Sequence, residues 1–148
     1  MPVNPDQMNR MRARHAAIPK AVAESIQPVL QSAATDIVKE MQRECPVSKD
    51  RAHGNPQGAL RDSIQFTAGG ESTPAYSAPG GQQIVDLAAV LITAGNDRVR
   101  YSHFVEYGTI KMAAEAYFWP AIRLLSQRTK AKIQTAFSQV VTDEWSRP

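Results

Sequence analysis

Between Val22 and Met41 the apolar side chains Val22, Ile26, Val29, Leu30, Ala33, Ile37 and Met41 return at steps of three and four. On a helix of 3.6 residues per turn that spacing makes one apolar stripe, which must be buried against another element. The pattern predicts helix over most of Asp6–Glu44. Pro19 and Pro28 fall inside it, and each lacks a helical N–H and crowds the preceding turn, so a break is expected near Pro19. Pro46 disfavours helical backbone at the residue before it and sets the end by Cys45.

A second stripe, Ile122, Leu125, Ile133, Phe137, Val140 and Val141, runs toward Trp145 behind Pro120, a residue that a first helical turn tolerates. Between the two helices the patterns are shorter. "CPVSKDRAHGNPQGALRDSI" reads as a loop leading into a helical turn and a strand, with Leu60 and Ile64 as inward anchors. Val85, Val90, Ile92 and Thr93 in "IVDLAAVLITAGN" predict a strand buried on much of both faces, with "VRYSHFVEYG" as its hairpin partner. "ESTPAYSAPGGQQ" shows no burial pattern, which makes 69–82 a flexible loop or arm. Helices set apart from antiparallel strands give an α+β fold: a small antiparallel β-sheet packed against a long N-terminal helix and a long C-terminal helix. The 148 residues suit a single domain over 1–148, with 1–18 as an N-terminal extension.

With 43% hydrophobic and 21% charged residues the chain is too apolar for wholesale disorder, and its apolar runs are too short for a membrane span. The opening "MPVNPDQMNRMRARH" lacks the apolar core of a secretory signal, so the chain is expected to act where it is made or to leave within an assembly. Cys45 is the one cysteine, and His15, His53 and His103 have no metal-ligand spacing, so no metal and no cofactor is expected. A formal charge of +3 is mild, but Arg10, Arg12, Arg14 and Lys20 cluster near the start and Arg123, Arg128, Lys130 and Lys132 on the last helix. These are either solvated helix faces or the phosphate contacts of a basic DNA-binding module.

Catalytic signatures are absent, and no enzyme activity is expected. His103 and Glu106 would share a face only if "SHFVEYG" were helical; on a strand they point to opposite faces, with Glu106 turned away from the core. After that strand Gly108 permits a sharp turn and Thr109 a local hydrogen bond. Ile110, Lys111 and Met112 then have the character of a loop lying on another subunit or of an ordinary surface loop. Phe118 is expected in the core, while Trp119 fits either the core or an interface.

Two segments together resemble the neck, or tail-completion, proteins of long-tailed double-stranded DNA bacteriophages. The first is a Gly-x-Leu-Arg-x-Ser-Ile element supplied by Gly58, Leu60, Arg61, Ser63 and Ile64. The second is a Tyr-x-x-x-Val-Glu-Tyr-Gly-Thr strand and turn followed by Met, an aromatic pair and Pro-Ala: Tyr101, Val105, Glu106, Tyr107, Gly108, Thr109, Met112, Phe118, Pro120 and Ala121. "AHGNPQ" and "ESTPAYSAPGGQQ" depart from that pattern as lengthened loops. The resemblance implies a structural virion protein, assembled in the host cytoplasm, that forms a homo-oligomeric ring, six-fold, at the head–tail junction. Its implied partners are further copies of itself, the tail tube protein and a head-closure or adaptor protein, with genome DNA passing through the channel unread. The expected subunit or partner interface is Glu106, Tyr107, Gly108, Thr109, Ile110, Lys111, Met112 and Trp119, and the expected docking arm is Glu71, Ser72, Thr73, Pro74, Ala75 and Tyr76.

Overall fold

The computed structural model describes residues 5–49 and 54–147, without the side chains of 14, 15 and 17. Two long helices dominate, α1 over Pro5–Glu44 and α4 over Phe118–Ser146. At 1.5 Å per residue they are about 60 and 43 Å long. Between them come α2 (Ala59–Asp62), β1 (Gln65–Thr67), β2 (Leu91–Thr93) and α3 (Ser102–Tyr107). β1 and β2 pair antiparallel with Phe66 opposite Ile92, and this two-stranded sheet beside the helix pair makes the fold α+β.

The stripe of α1 lies where its period places it: Val22, Ala23, Ile26, Ala33, Ala34, Ile37 and Met41 are buried. Its last turns meet Leu60, Ile64, Val99, Tyr117, Phe118 and Ala121 in one apolar core. Cys45 belongs to the same core, and burial pushes its thiol up to about 12. The two long helices run past each other in opposite directions, since Ala33 and Asp36 lie by Leu125 and Arg128, whereas Ile18 and Val22 lie by Phe137 and Val141. Toward that far end the packing loosens, and Phe137 and Val141 are 49% and 37% exposed rather than inside a continuous stripe.

The break near Pro19 is absent: α1 runs unbroken through Pro19 and Pro28, both on its solvent side. A proline loses one N–H bond, and the burial that sustains the helix lies on the C-terminal side of Pro19, from Val22 onward, while the turns before it are largely exposed. Residues 5–18 of the expected extension are therefore the first turns of α1, and residues 1–4 lie outside the described residues. The strand expected from "IVDLAAVLITAGN" shrinks to Leu91–Thr93, with Ile84 and Leu87 exposed. Its hairpin partner is β1 rather than "VRYSHFVEYG", whose residues from Ser102 form α3.

The segment 69–82 does carry a burial pattern. Thr73 is 2% exposed, its N–H donates to the carbonyl of Gln83 and its hydroxyl to that of Gly81, and the hydroxyl accepts the N–H of Gln83. Ser72 bridges to Ile84 and Ala78 to Ala94. Gln27 of α1 ties the base: its amide donates to the carbonyls of Leu87 (2.6 Å) and Ala89 (2.9 Å), and its oxygen accepts the N–H of Gly69. A Cβ at Gly69 would stand 2.7 Å from the backbone oxygens of Asp86 and Leu87, so the approach needs glycine.

Candidate functional site

The expected interface residues converge on the joint between α3 and α4, and Glu106 organises it. As a helix, α3 turns Ser102 and Glu106, four residues apart, to the buried side, where Glu106 is 6% exposed. Its carboxylate accepts the N–H groups of Tyr117 (2.8 Å), Phe118 (2.9 Å) and Trp119 (3.1 Å). A helix start leaves four N–H donors without intrahelical acceptors. Glu106 takes three of those at α4, and Pro120 has none to offer. Negative charge at a helix N-terminus is favourable for the further reason that the peptide dipoles point their positive ends there.

The expectation that Glu106 faces away from the core on a strand is thus overturned, because its carboxylate is an internal cap. The sequence did hold a signal for it. Tyr117 stands at the cap position of α4 where Ser, Thr, Asp or Asn would normally serve, and it makes no side-chain cap bond. A helix start without a local acceptor needs one from elsewhere in the chain. The helical geometry also brings His103 and Glu106 onto one element, yet with the carboxylate engaged by backbone N–H groups and the His103 ring tilted against Phe104 at 4.0 Å they form no acid–base pair.

Beyond α3 the chain folds a tight knuckle. Gly108 has φ +75°, and an added Cβ would lie 2.7 Å from the Ala114 nitrogen, so both backbone angle and crowding demand glycine. Thr109 donates its N–H to the Met112 carbonyl at 2.8 Å and receives the return bond at 3.3 Å. The Thr109 hydroxyl accepts the N–H of Lys111, and Glu115 donates its N–H to the Val105 carbonyl at 2.8 Å. These bonds hold a tip on which Ile110 is fully exposed and Lys111 and Met112 also face solvent. Beside it the Trp119 indole N–H donates to the Tyr107 hydroxyl at 2.6 Å, fixing two exposed aromatics as one surface.

A groove of about 500 Å³ opens next to the knuckle, lined chiefly by apolar side chains including Val47, Leu60, Phe104 and Met112. The arm residues Glu71–Tyr76 belong to a separate surface, where Arg100 stacks on the Tyr76 ring at 3.7 Å. An exposed tip braced by hydrogen bonds, an aromatic pair and an adjoining apolar groove suit contact with another protein. Among the described residues no three His, Cys, Asp or Glu side chains gather as a metal site requires.

Residues 9–108 match the sequence family described as "Bacteriophage HK97-gp10, putative tail-component". The chain belongs to that family. Membership agrees with the resemblance to phage neck and tail-completion proteins and makes the chain a phage tail component. The matched residues end at Gly108, so the knuckle and α4 extend this chain beyond the part by which the HK97-gp10-like family is recognised. No curated protein and no solved structure matches the chain.

The basic clusters of this tail component sit on its helices. Lys132 reaches from α4 to Ser32 (2.8 Å) and Asp36 (3.6 Å) on α1, so it braces the helix pair. Arg123 donates to the Trp119 carbonyl, while Arg128 and Lys130 face solvent on α4, as do Arg10, Arg12 and Lys20 on α1. The side chain of Arg14, and His53, lie outside the described residues. Among the described residues no helix is long and apolar enough to cross a membrane.

Proposed function

We propose that this tail component is a non-enzymatic subunit whose identical copies close a six-fold ring at the head–tail junction, joining the tail tube to the head connector around the DNA channel. The observation that carries the reading is the knuckle at Gly108–Met112, an apolar tip held rigid by its own hydrogen bonds on a member of a tail-component family. A preformed apolar projection loses little conformational entropy on docking. Head-to-tail repetition of one such contact builds a ring without a second gene product. In this reading Tyr107, Gly108, Thr109, Ile110, Lys111, Met112 and Trp119 face a neighbouring copy, and Glu106 acts from inside by fixing α4 beneath them.

The tongue carrying Glu71, Ser72, Thr73, Pro74, Ala75 and Tyr76 would meet the tail tube protein or a head-closure or adaptor protein. Its backbone ties to Gln83 and Val85 present Tyr76 as a prepared contact. The subunit would assemble in the host cytoplasm and remain in the virion neck. Imaging of particles with a density label on the C-terminus of this chain tests the proposal. Label confined to one level between head and tail, in six copies, is the expected outcome; label spread along the tail, or absent from virions, overturns it.

A further inference from the structure

The gap between the far ends of α1 and α4, about 420 Å³ beside Phe137 and Val141, is apolar, but nothing in its surroundings points to an occupant. The Arg100–Tyr76 stack is accounted for within the chain, since Arg100 also donates to the Asp97 carbonyl. The groove beside the knuckle is different, because the chain itself carries a complementary part.

We infer that Ile110 and Lys111 of one copy insert into the apolar groove of another, with Lys111 paired to Glu115 of the copy that receives it. This deepens the proposed ring and rests on self-association. Ile110 is fully exposed at the tip, an unfavourable place for an isoleucine in a free monomer. It cannot bury itself in its own groove: Thr109 and Met112 form part of that groove's wall, and the backbone pair between them holds the tip out. The groove offers apolar surface from Val47, Leu60 and Phe104, and its volume of about 500 Å³ exceeds the need of a single side chain. Charge selects the occupant. Lys111 and Glu115 are both exposed, neither has an ion pair among the described residues, and Glu115 lines the groove. An apolar residue followed by a cation therefore matches an apolar cleft with a carboxylate, and both halves come from one sequence.

Full-length Ile110→Cys protein mixed with full-length Val47→Cys protein under mild oxidation tests the contact, since a mixed disulfide can form only between copies; native Cys45 is buried. A heterodimer band found in the mixture and missing from wild-type protein is expected. Sedimentation of uncrosslinked protein gives the second readout. Ile110→Asp should weaken association at least tenfold. Lys111→Glu and Glu115→Lys should each weaken it about two- to fivefold, as an exposed ion pair allows, and the double exchange should restore it. Wild-type association that is unaffected by Ile110→Asp, with no mixed disulfide, overturns this contact and leaves the ring standing. A mixed disulfide in an assembly that stops at two copies keeps the contact and overturns the ring. A wild-type chain that is monomeric at every concentration overturns both.

Discussion

Glu106 and Pro120 together account for the four leading N–H positions of α4: the carboxylate accepts three N–H groups and the proline removes the fourth. Since Glu106 sits at the end of α3 and Tyr117 at the start of α4, this one side chain closes the ends of the knuckle between them. Fold stability and knuckle position therefore depend on the same carboxylate.

Replacing Glu106 with Ala should cost about 2–4 kcal/mol, because it strands N–H groups at a mostly buried helix start. Glu106→Gln keeps one carbonyl acceptor but loses the charge, and should cost about half as much. Urea denaturation monitored by the tryptophans gives both values. A loss below about 0.5 kcal/mol for Glu106→Ala would mean that the cap contributes nothing.

Gly108→Ala combines a positive φ with a backbone collision and should cost about 2–3 kcal/mol. Gly81→Ala is the matched control, with φ +69° but open space around the added methyl, and should cost about 1 kcal/mol. Amide exchange at Thr109 and Met112 should rise in the first variant and stay unchanged in the second. Equal exchange in both would separate the knuckle from the Gly108 geometry.

Burial raises the Cys45 thiol from 9.0 to about 12 and raises Tyr117 and Tyr101 in the same direction. The unfolded chain then gives up these protons first. The contribution of the neutral thiol is complete below pH 9.0 and lost as pH climbs toward about 12. Stability should therefore fall across that interval, and less steeply in Cys45→Ala. At pH 8 the native thiol should react with iodoacetamide only as the chain unfolds. Rapid labelling of the folded protein would contradict its place in the core.

Gln27→Ala removes the bonds from α1 to Gly69, Leu87 and Ala89. The expected cost is about 1–3 kcal/mol. Limited proteolysis between 70 and 90 should be markedly faster than in wild type, with the cleavage sites read by mass spectrometry. An unchanged rate would mean that other bonds hold the tongue.

The Trp119–Tyr107 bond lies at the surface, so Trp119→Phe should change stability by less than about 1 kcal/mol. If the aromatic pair faces a neighbouring copy, that substitution should weaken self-association by much more than it alters the unfolding midpoint. Comparable small changes in both would take Trp119 out of the interface.

What the sequence determined by itself was whatever depends on period or on a single residue's backbone chemistry: the α1 stripe from Val22 to Met41, Pro120 in the first turn of α4, the end of α1 before Pro46, and the sharp turn at Gly108. Those follow from local backbone chemistry and from residues three or four apart sharing a face. Tertiary structure decided the rest. "SHFVEYG" could alternate as a strand or coil as a helix, and the helix prevails where it delivers Glu106 to N–H donors 11 to 13 residues away. Pro19 signals a break locally, yet α1 continues through it, with its buried face beginning only at Val22 on the C-terminal side. Short-range preferences are worth fractions of a kcal/mol per residue, and a buried helix start with no acceptor costs several, so the long-range requirement sets the local conformation.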